Sequence, residues 1–228
     1  MTMIILYHIY LFFALACLAS FLMLWAYRTI HSGAIIWGRS QCDHCQRKLP
    51  YWALCPVLGY LLCRGRCQAC QAPVPLYYPL IEVLFACAAS YLVFQGAYSD
   101  LAILAVLTLM TATDLTAGMV PDRFQVLLFL ICLFREETWQ IDRWLQALIL
   151  GLALYALNQV IKEGLGGADI KLFSMLCLAY GLSASLEIIL LSSALALLYF
   201  FLSRHDKQGA LPFVPFISLG VIIQLIFL

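Results

Sequence analysis

The stretch from Met3 to about Ala26 is apolar and long enough to cross a bilayer, which takes about 20 residues of helix. Seven further apolar segments follow, at about 77–95, 99–115, 121–135, 143–161, 169–183, 184–203 and 209–228. A chain built this way is expected to be an all-α polytopic membrane protein with about eight transmembrane helices. The two shortest segments, the fourth and the sixth, imply tilt or partial re-entry. Composition points the same way: of 228 residues, 64% are hydrophobic and 11% charged, whereas a soluble domain is roughly half apolar and a quarter charged. A net charge of +1 without a basic, aromatic-interleaved patch gives no sign of a nucleic-acid partner. Neither a removable signal peptide nor an internal repeat is expected.

One polar insertion, 28–76, separates the first helix (1–27) from the remainder (77–228), and this suggests a small loop domain between two membrane parts. Placing it in the cytoplasm lets the inner side collect Arg28, Arg39, Arg47, Lys48, Arg64, Arg66, Arg123, Lys162, Lys171, Arg204 and Lys207. The outer side then keeps only Arg135 and Arg143, as the positive-inside rule requires. Within the loop, Cys42-Asp43-His44-Cys45 and Cys67-Gln68-Ala69-Cys70 are two C-x-x-C pairs with 21 residues between them. Two such pairs supply the four thiolates of a structural Zn²⁺ shell. A metal there would substitute for the core that a short loop lacks. The bland reading is a pair of disulfides or a redox relay, which a reducing cytoplasm disfavours. His44 reads as a solvated loop residue. Cys17, Cys55, Cys63, Cys87, Cys132 and Cys177 read as small buried hydrophobes.

Two acids stand at the mouths of apolar segments. Asp114 ends the third, and Asp169 opens the sixth after Gly164, Gly166, Gly167 and Ala168. The helix count puts both at one depth on the cytoplasmic side. Intramembrane ionisable groups are costly and usually functional, and two carboxylates at one depth are the reagents of an aspartic protease. The bland readings are a helix N-cap for Asp169 and an interfacial helix-end acid for Asp114. Asp122, after Pro121, suits the first turn of a helix. Pro212, Pro215 and Gly220 are expected to break the last helix.

In order along the chain, Ala19-Ser20-Phe21-Leu22, the two C-x-x-C pairs with Cys55-Pro56-Val57-Leu58-Gly59-Tyr60 and Arg64-Gly65-Arg66-Cys67 between, Tyr78-Pro79-Leu80-Ile81-Glu82, Asp114 with Val120-Pro121-Asp122, and Gly166-Gly167-Ala168-Asp169-Ile170-Lys171-Leu172 resemble the type IV prepilin peptidases. Ala168 departs from the family's G-x-G-D, and Ala19 and Met23 depart from its first-helix pattern. The resemblance implies a bacterial plasma-membrane aspartic endopeptidase with Asp114 and Asp169 as its dyad. Its partners would be type IV prepilin or pseudopilin precursors, whose basic leader it removes at the cytoplasmic face. It also implies N-methylation of the new N-terminus from S-adenosylmethionine, an activity tied to the first helix and cysteine loop. Glu82 matches an acidic family position and would support the site or pair with a basic loop residue. Arg64, Arg66, Asp122 and Lys171 stand as accessory residues. The competing readings are an inactive zinc-stapled scaffold, which Ala168 favours, a proton-coupled transporter, and a membrane thiol oxidoreductase.

Overall fold

The computed structural model describes residues 2–31, 39–42, 44–161, 166–202 and 211–227. Asp43, Lys162, Gly164, Arg204 and Lys207 lie outside the described residues. The chain is helical and divides into two compact units, Met1–Ala97 and Tyr98–Leu228.

The first unit holds α1 (Thr2–Ile30), a 3-10 turn (Tyr51–Leu54), α2 (Leu58–Leu62) and α3 (Tyr77–Gln95). Its backbone is the packing of α1 on α3. Along α1, Leu15, Ala16, Ala19, Leu22, Met23 and Ala26 are buried, a seam at helical spacing. Ala86, Ala88 and Ala89 are buried on α3. Small residues on both helices let the backbones approach closely, the usual driving force for helix pairing in lipid. Ala19 and Met23 lie in that seam. Helix α3 stops at Gly96, whose left-handed backbone (φ 70°) closes the last turn onto Leu92 and Val93 carbonyls.

The second unit holds α4 (Tyr98–Ala117), α5 (Asp122–Leu133), a 3-10 turn (Glu136–Trp139), α6 (Ile141–Val160), α7 (Gly167–Tyr180), α8 (Leu182–Leu202) and α9 (Val214–Phe227). Every residue of α4 from Val106 to Thr113 is buried, as befits a helix apolar on all sides. It packs on α5 and α9, while α7 packs on α5, α6 and α8. At the start of α4, Asp100 accepts a hydrogen bond from the Tyr180 hydroxyl at 3.0 Å and pairs with Arg135. Arg135 also lies over the Tyr180 ring at 5.0 Å. This partly buried ionic knot ties the beginning of α4 to the end of α7, so these helices run in opposite senses.

Helices occupy all eight expected segments, with bounds shifted by a few residues. Four of them are long and apolar enough to cross a membrane: Met3–Ile30, Tyr77–Gln95, Tyr98–Ala117 and Leu182–Leu202. The 12 residues of α5 and 14 of α7 span only about 18 and 21 Å at 1.5 Å per residue. Nor does Gly220 break α9. It is buried inside the helix, and a Cβ there would meet the Ile188 carbonyl oxygen at 3.1 Å, so glycine permits a close crossing of α9 on α8. Pro215 sits in the first turn of α9, where its missing N–H is harmless.

Candidate active site and metal centre

In the first unit the four thiols of Cys42, Cys45, Cys67 and Cys70 converge, with all sulfurs within 4.8 Å of one another. Cys42 Sγ and Cys70 Sγ are 3.8 Å apart. A tetrahedral ion with metal–sulfur bonds of about 2.3 Å sets its ligands roughly 3.8 Å apart, whereas a disulfide needs about 2.05 Å. The donor set therefore fits a tetrahedral metal, and His44 stands outside it, exposed.

The local fold explains the convergence. Each C-x-x-C closes a small hairpin of one design. Cys42 N–H donates to Arg47 O (3.0 Å) and Gln46 N–H to Cys42 O (2.8 Å); Cys67 N–H donates to Ala72 O (2.9 Å) and Gln71 N–H to Cys67 O (2.8 Å). Gln46 and Gln71, each following its second cysteine, take left-handed backbone at φ 57° and 61°. Single β-bridges, Gln41 with Lys48 and Arg66 with Pro73, close the two turns. An internal repeat thus exists after all, Cys-x-x-Cys-Gln, too short to stand out in the sequence. Backbone N–H groups of Cys70 and Ala69 draw the Cys67 thiol down to about 6. Although the Ala72 N–H favours its thiolate, Cys70 is pushed up to about 11 by burial and by the crowd of neighbouring thiols. Four thiols this close ionise together only around a cation.

Glu82, on α3, is buried (7% exposed). It pairs with no basic loop residue among those described. Its Oε2 accepts the Val57 N–H at 2.7 Å, and the Ser20 hydroxyl bonds the same carboxyl. Arg64 and Arg66 are exposed on the loop. Gly65 between them has φ 65°, and a Cβ there would lie 2.7 Å from the Tyr60 hydroxyl oxygen, so that turn requires glycine.

The second unit brings Asp114 and Asp169 together. Asp114 lies three residues before the end of α4, and Asp169 is the third residue of α7. The charge on Asp114 acts on Asp169, and both are partly exposed. They lie toward one end of the unit, with the Asp100–Arg135–Tyr180 knot toward the other. Each carboxyl is held by backbone. Asp114 Oδ2 accepts the Val214 N–H at 3.0 Å, with the Phe213 N–H bonded to it as well, so Asp114 caps the start of α9. Asp169 accepts the Gly166 N–H. The N-cap of α7 is Gly166, and Asp169 sits inside the first turn rather than at the cap.

The glycines divide by role. A Cβ on Gly166 would stand 2.9 Å from Asp169 Oδ2, whereas one on Gly167 would meet nothing within 4 Å. Ala168 is helical and is not among the residues with positive φ, so alanine fits there unstrained. Its carbonyl accepts a hydrogen bond from Gln125 Nε2 at 3.4 Å. Gln125 is 3% exposed and escaped the sequence reading, although a glutamine inside an apolar helix is itself a signal. Asp122 and Lys171 meet at 3.1 Å as an exposed ion pair between α5 and α7.

Two family models match the chain: the Bacterial Peptidase A24 N-terminal domain over residues 13–95, and the Type IV leader peptidase family over residues 101–201. A prepilin leader peptidase/N-methyltransferase of Burkholderia pseudomallei is 32% identical, over 80% of this chain and 65% of its own length. A type 4 prepilin-like proteins leader peptide-processing enzyme of Escherichia coli is 31% identical, over 80% of this chain and 73% of its own. A prepilin leader peptidase/N-methyltransferase of Bacillus subtilis is 27% identical, over 85% and 84% respectively. The chain thus spans just under two thirds of the Burkholderia relative. No solved structure matches it. With both halves matched in order, and a relative above 30% identity covered over most of its length, the chain belongs to the type IV leader peptidase family.

Proposed function

We propose that the chain is an aspartic endopeptidase that removes the leader of type IV pilin-like precursors, and that it also methylates the new N-terminus from S-adenosylmethionine. The observation that carries the peptidase reading is the pair Asp114 and Asp169, two carboxyls near enough to feel one another's charge. Carboxyls sharing a site hold a single proton between them. The ionised member takes a proton from water as the water attacks the scissile carbonyl, and the protonated member polarises that carbonyl oxygen. The exposed backbone of Gly166 and Gly167 beside Asp169 gives an extended peptide room to approach. The methylation reading is supported by the relatives from Burkholderia pseudomallei and Bacillus subtilis, which are named as N-methyltransferases as well as leader peptidases.

The cysteine cluster holds a structural Zn²⁺ in this reading. With four thiolates bound, the ion keeps no open position and takes no part in hydrolysis. The enzyme sits in the bacterial plasma membrane with loop 28–76 and the carboxyl pair on the cytoplasmic side, where a basic leader is retained while the apolar pilin helix stays in lipid. The test is cleavage of a co-expressed prepilin by wild type, Asp114→Asn and Asp169→Asn, read as a gel shift. Asn keeps the size and the acceptor oxygen but cannot share the proton. Both variants should be inert with normal zinc content; wild-type cutting by either would sink the dyad.

A further inference from the structure

The approach to α9 carries an aromatic ring at the carboxyl pair. Phe213 lies beyond residues 101–201, which the Type IV leader peptidase family model matches. Its N–H is bonded to the Asp114 carboxyl, next to that of Val214. Its carbonyl accepts the N–H groups of Phe216 at 3.0 Å and Ile217 at 3.2 Å, so the residue that holds Asp114 also opens the helix. One turn further, the Ser218 and Thr111 hydroxyls meet at 2.7 Å. Helix α9 is thus pinned to α4 at two levels. Pro212, with its locked φ, stiffens the backbone on the other side of the ring.

The ring reaches across to α7. Phe213 and Phe173 meet edge to face with centroids 6.2 Å apart, a favoured aromatic arrangement. Phe173 is 2% exposed and stands four residues after Asp169, on the same face of the helix. A chain of contacts therefore runs from Asp114 to Phe213, to Phe173, and back along one turn of α7 to Asp169. Phe173 is spent on packing. Phe213 is only half-buried and keeps apolar surface free at the very residue that touches Asp114.

A peptide bond attacked between the two acids brings its flanking side chains close to both. In an extended peptide those two side chains point to opposite sides, so they meet different surroundings. In the peptidase reading, the leader side is basic and the chain after the cut is an apolar helix. Only the second matches an aromatic surface.

We infer that Phe213 is a specificity-determining residue, whose ring receives the first side chain after the scissile bond and favours a large apolar one. The inference rests on the peptidase reading above and adds to it a named contact with substrate.

The experiment uses the full chain in lipid nanodiscs and two prepilins that differ only in the residue after the cut, phenylalanine or alanine. Phe213→Ala leaves in place the backbone N–H that holds Asp114. It should lower kcat/KM about tenfold for the phenylalanine substrate and less than about twofold for the alanine one, the scale of a lost aromatic contact in an apolar subsite. Phe213→Tyr should restore the wild-type preference. A disturbed fold lowers both rates alike and leaves their ratio untouched, so the ratio separates recognition from structure. If Phe213→Ala keeps the wild-type ratio, the assignment is overturned and the peptidase reading stands. If wild type cuts neither precursor, both fall. Should Phe213→Ala fail to fold, Phe213→p-benzoylphenylalanine in Asp169→Asn protein, which is expected to hold the precursor uncut, decides by ultraviolet crosslinking. Label on the residues just after the cut site supports the contact; label elsewhere on the precursor, or none, overturns it.

Discussion

Gly166→Ala tests how finely backbone places Asp169. The added methyl would lie 2.9 Å from Asp169 Oδ2, about half an ångström inside ordinary van der Waals contact. The obstacle is the end of a side chain, so the carboxyl, not the helix, gives way. Gly166 has φ −65° and ψ 136°, which alanine adopts without strain, so the stability cost should be under about 1 kcal/mol, that of a poorer N-cap. A misplacement of 1 Å near reacting groups costs about a hundredfold in rate. Half that shift predicts about a tenfold loss, or roughly 1.4 kcal/mol of barrier. Single-turnover cleavage of a prepilin in nanodiscs, read on gels beside a thermal melt, separates the two effects. Ala168→Gly is the paired control: it relieves no clash and should leave the rate unchanged. A Gly166→Ala enzyme that cuts at the wild-type rate would refute the placement of Asp169 at the reacting centre.

Other expectations follow from the same geometry. Gln125→Ala removes the donor to the Ala168 carbonyl and should cost about 1–2 kcal/mol, visible as a lower melting temperature with a reduced cleavage rate; an unchanged melt would show the bond to be idle. Asp100→Asn removes the partly buried carboxylate paired with Arg135, which keeps Glu137 at 3.4 Å, and should cost about 2 kcal/mol, with zinc content intact, because the knot belongs to the second unit. Zinc removal by a strong chelator should expose the 39–76 region to limited proteolysis and spare α4 to α9; equal protection with and without metal would argue against a structural ion.

Much of the helical plan was legible because membrane-length apolar runs leave few alternatives, and the Cys cluster was legible because its spacing encodes the ligand set. What escaped belongs to backbone and to short range. Nothing in the sequence announces that Val214 N–H meets Asp114, since every residue but proline offers that donor. Helix α2 is five residues long, below any periodicity. The Cys-x-x-Cys-Gln repeat was hidden because left-handed glutamine carries no signature as glycine does. Sequence alone leaves Glu82 either supporting the site or pairing with a basic loop residue, and a bond to the Val57 N–H has no signature there. Apolar composition alone does not distinguish a short packed helix from a spanning one; four of the eight helices meet the length and hydropathy of a span.

The bond from the start of α9 to Asp114 carries a consequence for inheritance. Losing that carboxyl would undo a helix anchor as well as any chemistry, so selection for a folded protein alone retains it. Among the described residues, the tie of Asp169 runs to its own turn, at Gly166. In a lineage where cleavage has ceased to matter, Asp169 should drift first while Asp114 persists. A survey that scores such proteins as active on the presence of the first acid alone would count relics among the enzymes, and the second acid is the better witness.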